Sequence, residues 1–229
     1  MKIVVLTGAG ISAESGLQTF RDANGLWEGH DVMEVASPEG WAKNKALVLD
    51  FYNQRRRQLL EVEPNRAHAA LAGLEAHHEV VIITQNVDDL HERAGSSKVI
   101  HLHGELLKIR CSKHHQDVRD WRKDINMGDL SKSGNQLRPH IVWFGESVPL
   151  MDTAVEEIQE ASAVIIVGTS MQVYPAAGLM QYAPYTSPIF FVDPAPSIES
   201  SQRVTVLAEN ATTGVPKVIE LIKNLKPYV

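Results

Sequence analysis

Short apolar runs alternate along the chain with segments whose apolar residues follow a helical spacing. The apolar runs, rich in β-branched residues, occupy residues 3–6, 80–84, 163–167 and 188–192, with weaker ones at 99–102, 140–144 and 204–207. Runs of this length and composition are typical of buried parallel strands. Helical spacing predicts helices over about 46–60, from 64 onwards, and over 151–161 and 215–225.

Strands that alternate with helices predict an α/β fold, here a Rossmann-like, doubly wound parallel sheet with a smaller inserted domain. The pattern is interrupted over residues 110–136, which are rich in Lys, Asp and His and poor in aliphatic residues. We therefore expect one domain over residues 1–229. Its Rossmann-like core would comprise about 1–26, 64–109 and 138–229, and a small module would comprise about 27–63 and 110–137.

Composition and charge narrow the functional classes. With 44% hydrophobic and 22% charged residues, the chain of 229 residues has the composition of a folded protein, and its net charge of −6 gives no reason to expect direct nucleic-acid binding. A single cysteine excludes an intrachain disulfide framework and suits a reducing compartment. Met1 leads almost directly into a predicted strand, without the apolar stretch of a secretory signal, and no apolar run could span a bilayer. We expect a cytoplasmic protein with no membrane partner, and its oligomeric state stays open.

A glycine pattern follows the first predicted strand. Gly8, Gly10 and Ala13 have the G-x-G-x-x-G/A spacing that lets a backbone turn tightly against a pyrophosphate. A helix starting near residues 12–15 would direct free N–H groups at that anion, although the same glycines occur in βα turns that bind nothing. A dinucleotide dehydrogenase also needs an acidic residue about 20 positions further on. Glu28 lies near that offset, but in a segment typical of a loop, so the ribose clamp of a dehydrogenase is missing.

Glycines and polar side chains that could bind a ligand follow four of the predicted strands, at residues 8–10, 85–88, 168–170 and 193. In a parallel sheet the carboxyl ends of the strands lie at one edge, where α/β proteins bind their ligands. We therefore expect these groups to converge on one crevice.

The chain resembles the sirtuin family of NAD-dependent protein deacylases. The matching segments occur in the family's order and cover nearly the whole chain. They are GAGIS at 8–12, ESG at 14–16 with TFR at 19–21, TQNVD at 84–88, HG at 103–104, VWFGE at 142–146, and GTS at 168–170 with Val173 and Pro175. The resemblance implies an enzyme that uses NAD and acylated-lysine protein substrates and releases nicotinamide, lysine and O-acyl-ADP-ribose.

The resemblance also implies which residues contact NAD. Amides and carboxylates at a strand end are suited to hold ribose hydroxyls and the nicotinamide amide. The cofactor contacts it implies are Gly8, Ala9, Gly10, Ser12, Phe20, Arg21, Gln85, Asn86, Asp88, Gly168, Thr169, Ser170, Asp193 and Ala211. Asp193 stands where many sirtuins have an asparagine, so the match is less close there.

His103 and Asn86 are the catalytic residues that the resemblance implies. His103 would act as general base on a ribose hydroxyl, and an imidazole with an ordinary pKa near 6.5 suits that task at neutral pH. The alternative is a structural histidine, which is the ordinary expectation for most of the ten histidines in the chain. His103 is set apart because it directly precedes Gly104 in the family's motif.

For the substrate, the resemblance implies an extended peptide that adds to a docking strand containing Val142, Phe144, Gly145 and Glu146. Tyr52 and Arg55 lie three residues apart on a predicted helix and match the Tyr-x-x-Arg motif of class III sirtuins, which prefer succinyl-, malonyl- or glutaryl-lysine. A phenol and a guanidinium together can bind a carboxylate. Ala13 is small, as in that class, and would leave room for the acyl group. The alternative is that residues 55–57, three arginines, form a solvated helix face.

Most sirtuins hold a structural zinc with two C-x-x-C pairs, and this chain, with one cysteine, lacks those pairs. Cys111 and His114 stand at the first pair, but Leu130 and Ser133 occupy the positions of the second, and a structural zinc site needs four ligands. His115, Asp117 and Asp120 lie nearby without the required spacing. We predict no metal site, so the small module would be held by packing around Trp121.

Two other functions compete with deacylation. An NAD hydrolase, which releases free ADP-ribose, or an ADP-ribosyltransferase, which modifies a protein, would keep the NAD site, and the peptide-docking segment argues against pure hydrolysis. A non-catalytic module that binds NAD or ADP-ribose would not need a base such as His103. We therefore favour an NAD-dependent deacylase that removes succinyl or malonyl groups and, more weakly, acetyl groups.

Overall fold

Parallel strands form the central sheet of the computed structural model, which describes residues 1–18, 26–27, 29–114 and 117–225 of the chain. In chain order the strands are β1 (Lys2–Thr7), β2 (Leu26–Trp27), β3 (His30–Asp31), β4 (Glu79–Thr84), β5 (Val99–His101), β6 (Gly104–Cys111), β7 (Val118–Asp120), β8 (Leu137–Ile141), β9 (Ala163–Val167), β10 (Ile189–Val192) and β11 (Val204–Leu207). The helices are α1 (Gly10–Ala13), α2 (Val32–Val35), α3 (Pro38–Lys43), α4 (Lys45–Glu61), α5 (Arg66–Gly73), α6 (Leu90–Arg93), α7 (Met151–Gln159) and α8 (Ala211–Lys223), with 3₁₀ turns at Leu74–Ala76 and Ala176–Tyr182.

The central sheet has the strand order β11-β10-β9-β1-β4-β5, and its pairs are all parallel. The chain first builds outward from β1 to β4 and β5, and then returns to the other side of β1 with β9. The strand order therefore reverses between β1 and β9, where Thr7 pairs with Val167. Ligands of doubly wound sheets bind at the carboxyl ends of the strands beside such a reversal. The predicted Rossmann-like α/β fold is confirmed.

Both faces of this sheet are covered, which explains why its strands are continuous apolar runs. On one face Val5, Ile82 and Ile165 are buried in a cluster with residues of α5 and α8. On the other face Val4 and Ile166 are buried in a cluster with residues of α7. Packing on both faces therefore fixes the strands relative to one another, and this holds their carboxyl ends together at one edge of the sheet.

A second, antiparallel sheet has the order β7-β6-β8 and packs with α2, α3 and α4 around a third apolar cluster. Phe51, Leu59, Ile109 and Trp143 belong to that cluster, and Trp121 packs against it. The module boundaries predicted at 109/110 and 137/138 fall inside β6 and β8, and these two strands pair with each other in this sheet. In the described part of the chain, no helix is long and apolar enough to cross a bilayer.

Candidate functional site

The carboxyl ends of β1, β4, β9 and β10 open into a cavity of about 630 Å³, whose other wall comes from α4 and the segment after β8. The described residues that the sequence predicted as site residues all line it. These are Gly8, Ala9, Gly10, Ser12, Ala13, Tyr52, Arg55, Gln85, Asn86, Asp88, His103, Val142, Phe144, Gly145, Glu146, Gly168, Thr169, Ser170, Asp193 and Ala211. Phe20 and Arg21 lie outside the described residues.

His103 is presented to the cavity as a neutral imidazole with a defined proton position. Its Nδ1 lies 3.0 Å from the carbonyl oxygen of Gln85, an acceptor, so Nδ1 carries the proton and Nε2 is left as the proton-accepting atom. Burial lowers the pKa of His103 below its ordinary value. Gly104 follows with φ +82°, and a Cβ there would collide with the carbonyl oxygen of His140. The turn that aims His103 therefore requires glycine.

Asn86 and Asp88 are joined through the hydroxyl of Ser12. Asn86 Nδ2 donates to Ser12 Oγ at 3.2 Å, and Ser12 Oγ donates to Asp88 Oδ2 at 3.0 Å. His68 Nε2 lies 3.5 Å from the same hydroxyl, and its Nδ1 accepts the N–H of Asn65 at 3.3 Å. Burial raises the pKa of Asp88 to about 6, against the opposing effect of its hydrogen bonds. The hydrogen bonds through Ser12 fix the orientation of the Asn86 side-chain amide.

The glycine loop after β1 packs against the loop after β9 more closely than any side chain would allow. Gly10 N–H donates to the carbonyl oxygen of Gly168 at 2.8 Å, and a Cβ on Gly10 would lie 2.6 Å from Gly168 Cα. The N–H groups of Ile11 and Ser12 donate to the carbonyls of Gly8 and Ala9 at 3.2 and 3.1 Å. These three N–H groups are bonded within the protein, and α1 begins at Gly10, before the predicted start at 12–15. Anion binding at this helix start stays a prediction. The glycines are needed for contact between the two loops at the strand-order reversal.

Residues 8–175 match the model of the Sir2 family. The chain belongs to the Sir2 family. This sirtuin is 59% identical over 224 residues to a protein of Helicobacter pylori (strain ATCC 700392 / 26695) named NAD-dependent protein deacylase, covering 96% of this chain and 98% of the relative. It is 50% identical over 227 residues to a Bacteroides thetaiotaomicron protein of the same name, covering 96% and 97%. Among solved structures, that of a Sir2 homologue–NAD complex superposes with a TM-score of 0.87 at 36% identity, covering 97% of this chain and 89% of the other.

The segment predicted as the peptide-docking strand of this sirtuin is not a strand. β8 ends at Ile141, three residues before the predicted end, and an irregular turn follows. The N–H of Val142 donates to the His103 carbonyl at 2.9 Å, that of Trp143 to Glu146 Oε2 at 2.8 Å, and that of Phe144 to the Ala36 carbonyl at 3.0 Å. These N–H groups are already bonded within the protein and are not offered to an incoming strand. A substrate role for the segment stays a prediction.

Glu146 holds two arginines that sequence analysis did not single out. Arg138 donates to both carboxylate oxygens, at 2.8 and 3.1 Å, and Arg110 donates to Oε2 at 3.0 Å. The side chains of Arg110 and Arg138 are only 5% and 4% exposed. Burial alone would raise the pKa of Glu146, but the hydrogen bonds and charges of the arginines outweigh it and lower that pKa. The carboxylate thus ties β6, β8 and the following turn together.

Tyr52 and Arg55 lie on the same wall of the cavity, on α4. The Tyr52 hydroxyl accepts a hydrogen bond from Trp143 Nε1 at 3.0 Å, and burial raises its pKa, so it is a neutral phenol. The Arg55 guanidinium lies 5.6 Å from the centre of the Phe51 ring. The neighbouring Arg56 is only 1% exposed, because it donates to the carbonyl of Leu106 and to Asn53. Arg56 is therefore not part of a solvated helix face, whereas Arg57 is exposed.

Asp193, directly after β10, and Ala211, the first residue of α8, also line the cavity. Asp193 is 1% exposed, and its Oδ1 accepts the N–H of Ala195 at 2.9 Å. Ala211 begins α8, which is held at its first turn by Glu14. The two carboxylate oxygens of Glu14 accept from the N–H and the hydroxyl of Thr212, at 3.0 and 2.6 Å. Sequence spacing gives no sign of this contact, since its partners are 198 residues apart.

At the position of the family's zinc site, Cys111 is buried beside two serines. Its Sγ lies 3.7 Å from Ser133 Oγ, and Ser131 Oγ lies 3.0 Å from the same hydroxyl. Burial alone would raise the pKa of the thiol, but hydrogen bonds from the serines and the neighbouring backbone lower it to about 7. The described residues contain no group of three or more His, Cys, Asp or Glu placed to hold a metal ion. The absence of zinc stays a prediction.

Proposed function

We propose that this sirtuin is an NAD-dependent protein-lysine deacylase that prefers succinyl and malonyl groups over acetyl. The deacylase activity follows from membership of the Sir2 family and from relatives of nearly equal length named NAD-dependent protein deacylase. The observation that supports the acyl preference is that Tyr52 and Arg55 line the same cavity as His103.

The cavity has the chemistry needed to hold NAD. Its sheet side presents the amides of Gln85 and Asn86, the hydroxyls of Ser12 and Thr169, and the carboxylate of Asp193. Such groups suit a ligand that carries ribose hydroxyls and a carboxamide. Gln85 is oriented by its hydrogen bond to Thr169 Oγ1 at 3.1 Å. When bound, NAD would supply an electrophilic ribose carbon and nicotinamide as the leaving group.

Residues of the chain would then transfer the proton and position the substrate. His103 Nε2 would accept the proton of a ribose hydroxyl, since Nδ1 is already bonded to the Gln85 carbonyl. Asn86 and Asp88, held through Ser12, would fix the ribose and the nicotinamide end against that base. The residues around His103 on the sheet side of the cavity are buried or half-buried, and this limits the access of bulk water to the reacting atoms.

The acyl preference depends on a carboxylate at the end of the acyl chain. A guanidinium and a neutral phenol can both donate hydrogen bonds to it, and Arg55 also supplies the opposite charge. One hydrogen bond to a charged group contributes about 1.5–3 kcal/mol, which is roughly 10–150-fold in affinity. An acetyl group has no carboxylate and gains nothing from this pair.

The test is the substitution Arg55→Met, which keeps an unbranched apolar stem and removes the charge. We expect kcat/KM for a succinylated peptide to fall roughly 10–150-fold, while kcat/KM for the same peptide in acetylated form is unchanged or rises. Both are measured by mass spectrometry with and without NAD. The matched control is Arg57→Met, two residues along α4, where the arginine is half exposed and pairs with Asp124 at 2.6 Å.

Equal losses for the two acyl groups in Arg55→Met would contradict the acyl preference. A wild-type protein that releases nicotinamide without deacylating either peptide would instead be an NAD hydrolase or ADP-ribosyltransferase. Binding of NAD without either reaction would leave a binding module.

A further inference from the structure

His101, two residues before the predicted base, has a hydrogen-bond acceptor at each ring nitrogen. Its Nε2 lies 2.7 Å from Glu92 Oε1, and its Nδ1 lies 3.1 Å from the carbonyl oxygen of Asn86. A carboxylate and a backbone carbonyl can only accept, so both nitrogens must carry protons for both bonds to form. The arrangement therefore selects the positively charged imidazolium.

The surroundings of His101 favour that charge even though the residue is only 8% exposed. The acidic groups facing it are Glu92 on α6, Glu105 on β6 and Asp88 in the loop after β4. His91 on α6 also faces it, but burial lowers the pKa of His91 and keeps that ring neutral. For His101, burial alone would lower the pKa, but the hydrogen bond and charge of Glu92 outweigh it and raise that pKa.

The carbonyl that His101 binds belongs to a residue whose other groups are also held. Asn86 N–H donates to Thr84 Oγ1 at 3.0 Å, and Asn86 Nδ2 donates to Ser12 Oγ. The preceding carbonyl, of Gln85, is bound by His103. Two consecutive carbonyls of the loop are thus bound by two histidines, one neutral and one charged.

We propose that His101 is a positioning residue, whose imidazolium links Glu92 to the Asn86 carbonyl and so holds the loop that presents Asn86 and Asp88 to the cavity. The proposal rests on the proposed function only in assigning those two residues to the NAD site. His101 itself does not line the cavity.

Protonation should therefore set an upper pH limit to this positioning. A group whose pKa is higher in the folded protein than its ordinary value contributes below the ordinary value, and its contribution is lost as pH rises through the folded value. NAD affinity and the deacylation rate should thus decline on the alkaline side as His101 loses its proton. The acidic side is governed by different residues, His103, whose pKa is lowered, and Asp88, whose pKa burial raises to about 6.

The first measurement is the protonation state of His101 in the full chain, from ¹H–¹⁵N spectra of the histidine rings, assigned with His101→Gln. We expect His101 to titrate above 6.5 with both nitrogens protonated below that point, and His103 to stay neutral with its proton on Nδ1. A His101 that titrates at or below 6.5 would overturn the proposal, whatever reaction the protein catalyses.

The second measurement is the pH dependence of NAD affinity and of kcat in Glu92→Gln. This variant keeps the shape and an acceptor oxygen, but it removes the charge that stabilises the imidazolium. We expect the alkaline limb to move to lower pH and NAD affinity on that limb to fall about tenfold, while the acidic limb is unchanged. Glu61→Gln, at the exposed end of α4, is the control and should keep the wild-type profile. An alkaline limb and an NAD affinity that do not move in Glu92→Gln would overturn the proposal, and because NAD affinity is measured directly, this holds even if no deacylation is found.

Discussion

Replacing His103 by alanine should lower kcat for deacylation of an acylated-lysine peptide by about 10²–10⁴-fold, the usual contribution of a general base. The reason is that Nε2 of His103 is the proton acceptor left available by the hydrogen bond between Nδ1 and the Gln85 carbonyl. NAD binding should persist, because the other predicted cofactor contacts lie on separate strand ends. Single-turnover kinetics and NAD titration by calorimetry measure the two effects separately.

The pH profile supplies an independent check on the same residue. Since burial lowers the pKa of His103, the wild-type rate should stay high at neutral pH and fall only as pH drops below 6.5, where the imidazole becomes protonated. His77→Ala is the control, because His77 is exposed and does not line the cavity. Wild-type kcat in His103→Ala would exclude His103 as the base, whereas a residual acidic limb in NAD affinity is expected from Asp88, whose pKa burial raises to about 6.

The position of the site could be predicted from the sequence because it depends on strands that are buried on both faces. Residues 163–167 and 204–207 are strands with the predicted bounds, and 80–84 differs by one residue. Once the strands are known, their carboxyl ends must meet at one edge of the sheet. This is why Gln85, Gly168 and Asp193, far apart in sequence, line one cavity.

Elements held by contacts between distant residues were predicted less well. α8 begins at Ala211 rather than near 215, because Glu14 caps its first turn and stabilises a start that Gly214 and Pro216 disfavour locally. Similarly, the burial of Arg56 depends on the carbonyl of Leu106, which no helical pattern in α4 reveals. Local propensity cannot anticipate a partner supplied by tertiary structure.

Within the site, the conformation of the segment after β8 also depends on tertiary partners that the local sequence does not reveal. Its residues do line the cavity, as the family's motif implies, but its backbone donors are bonded to His103, Ala36 and Glu146 instead of forming a strand edge. The motif predicts which residues lie near the substrate, whereas their conformation depends on the two buried arginines that bind Glu146. That dependence can be measured.

Replacing Glu146 by alanine should lower the free energy of unfolding by about 3–5 kcal/mol, the usual cost of removing one partner of a buried ion pair. The substitution leaves Arg110 and Arg138 buried without their shared carboxylate and frees the N–H of Trp143. Chemical denaturation followed by circular dichroism measures the change. Because its pKa is lowered in the folded protein, Glu146 contributes this stability above its ordinary value of 4.5, and the contribution is lost as pH falls through the lower folded value.

The wild-type protein and Glu146→Ala should therefore differ most at neutral pH and converge in acid. The matched control is Glu220→Ala, which removes an exposed carboxylate paired with Lys223 and should change the free energy of unfolding by less than about 0.5 kcal/mol. If Glu146→Ala unfolds at the same denaturant concentration as Glu220→Ala, the two arginines find other partners and Glu146 is not what holds the turn. If it is destabilised as expected, peptide affinity should also fall, since Phe144 and Gly145 line the cavity from that turn.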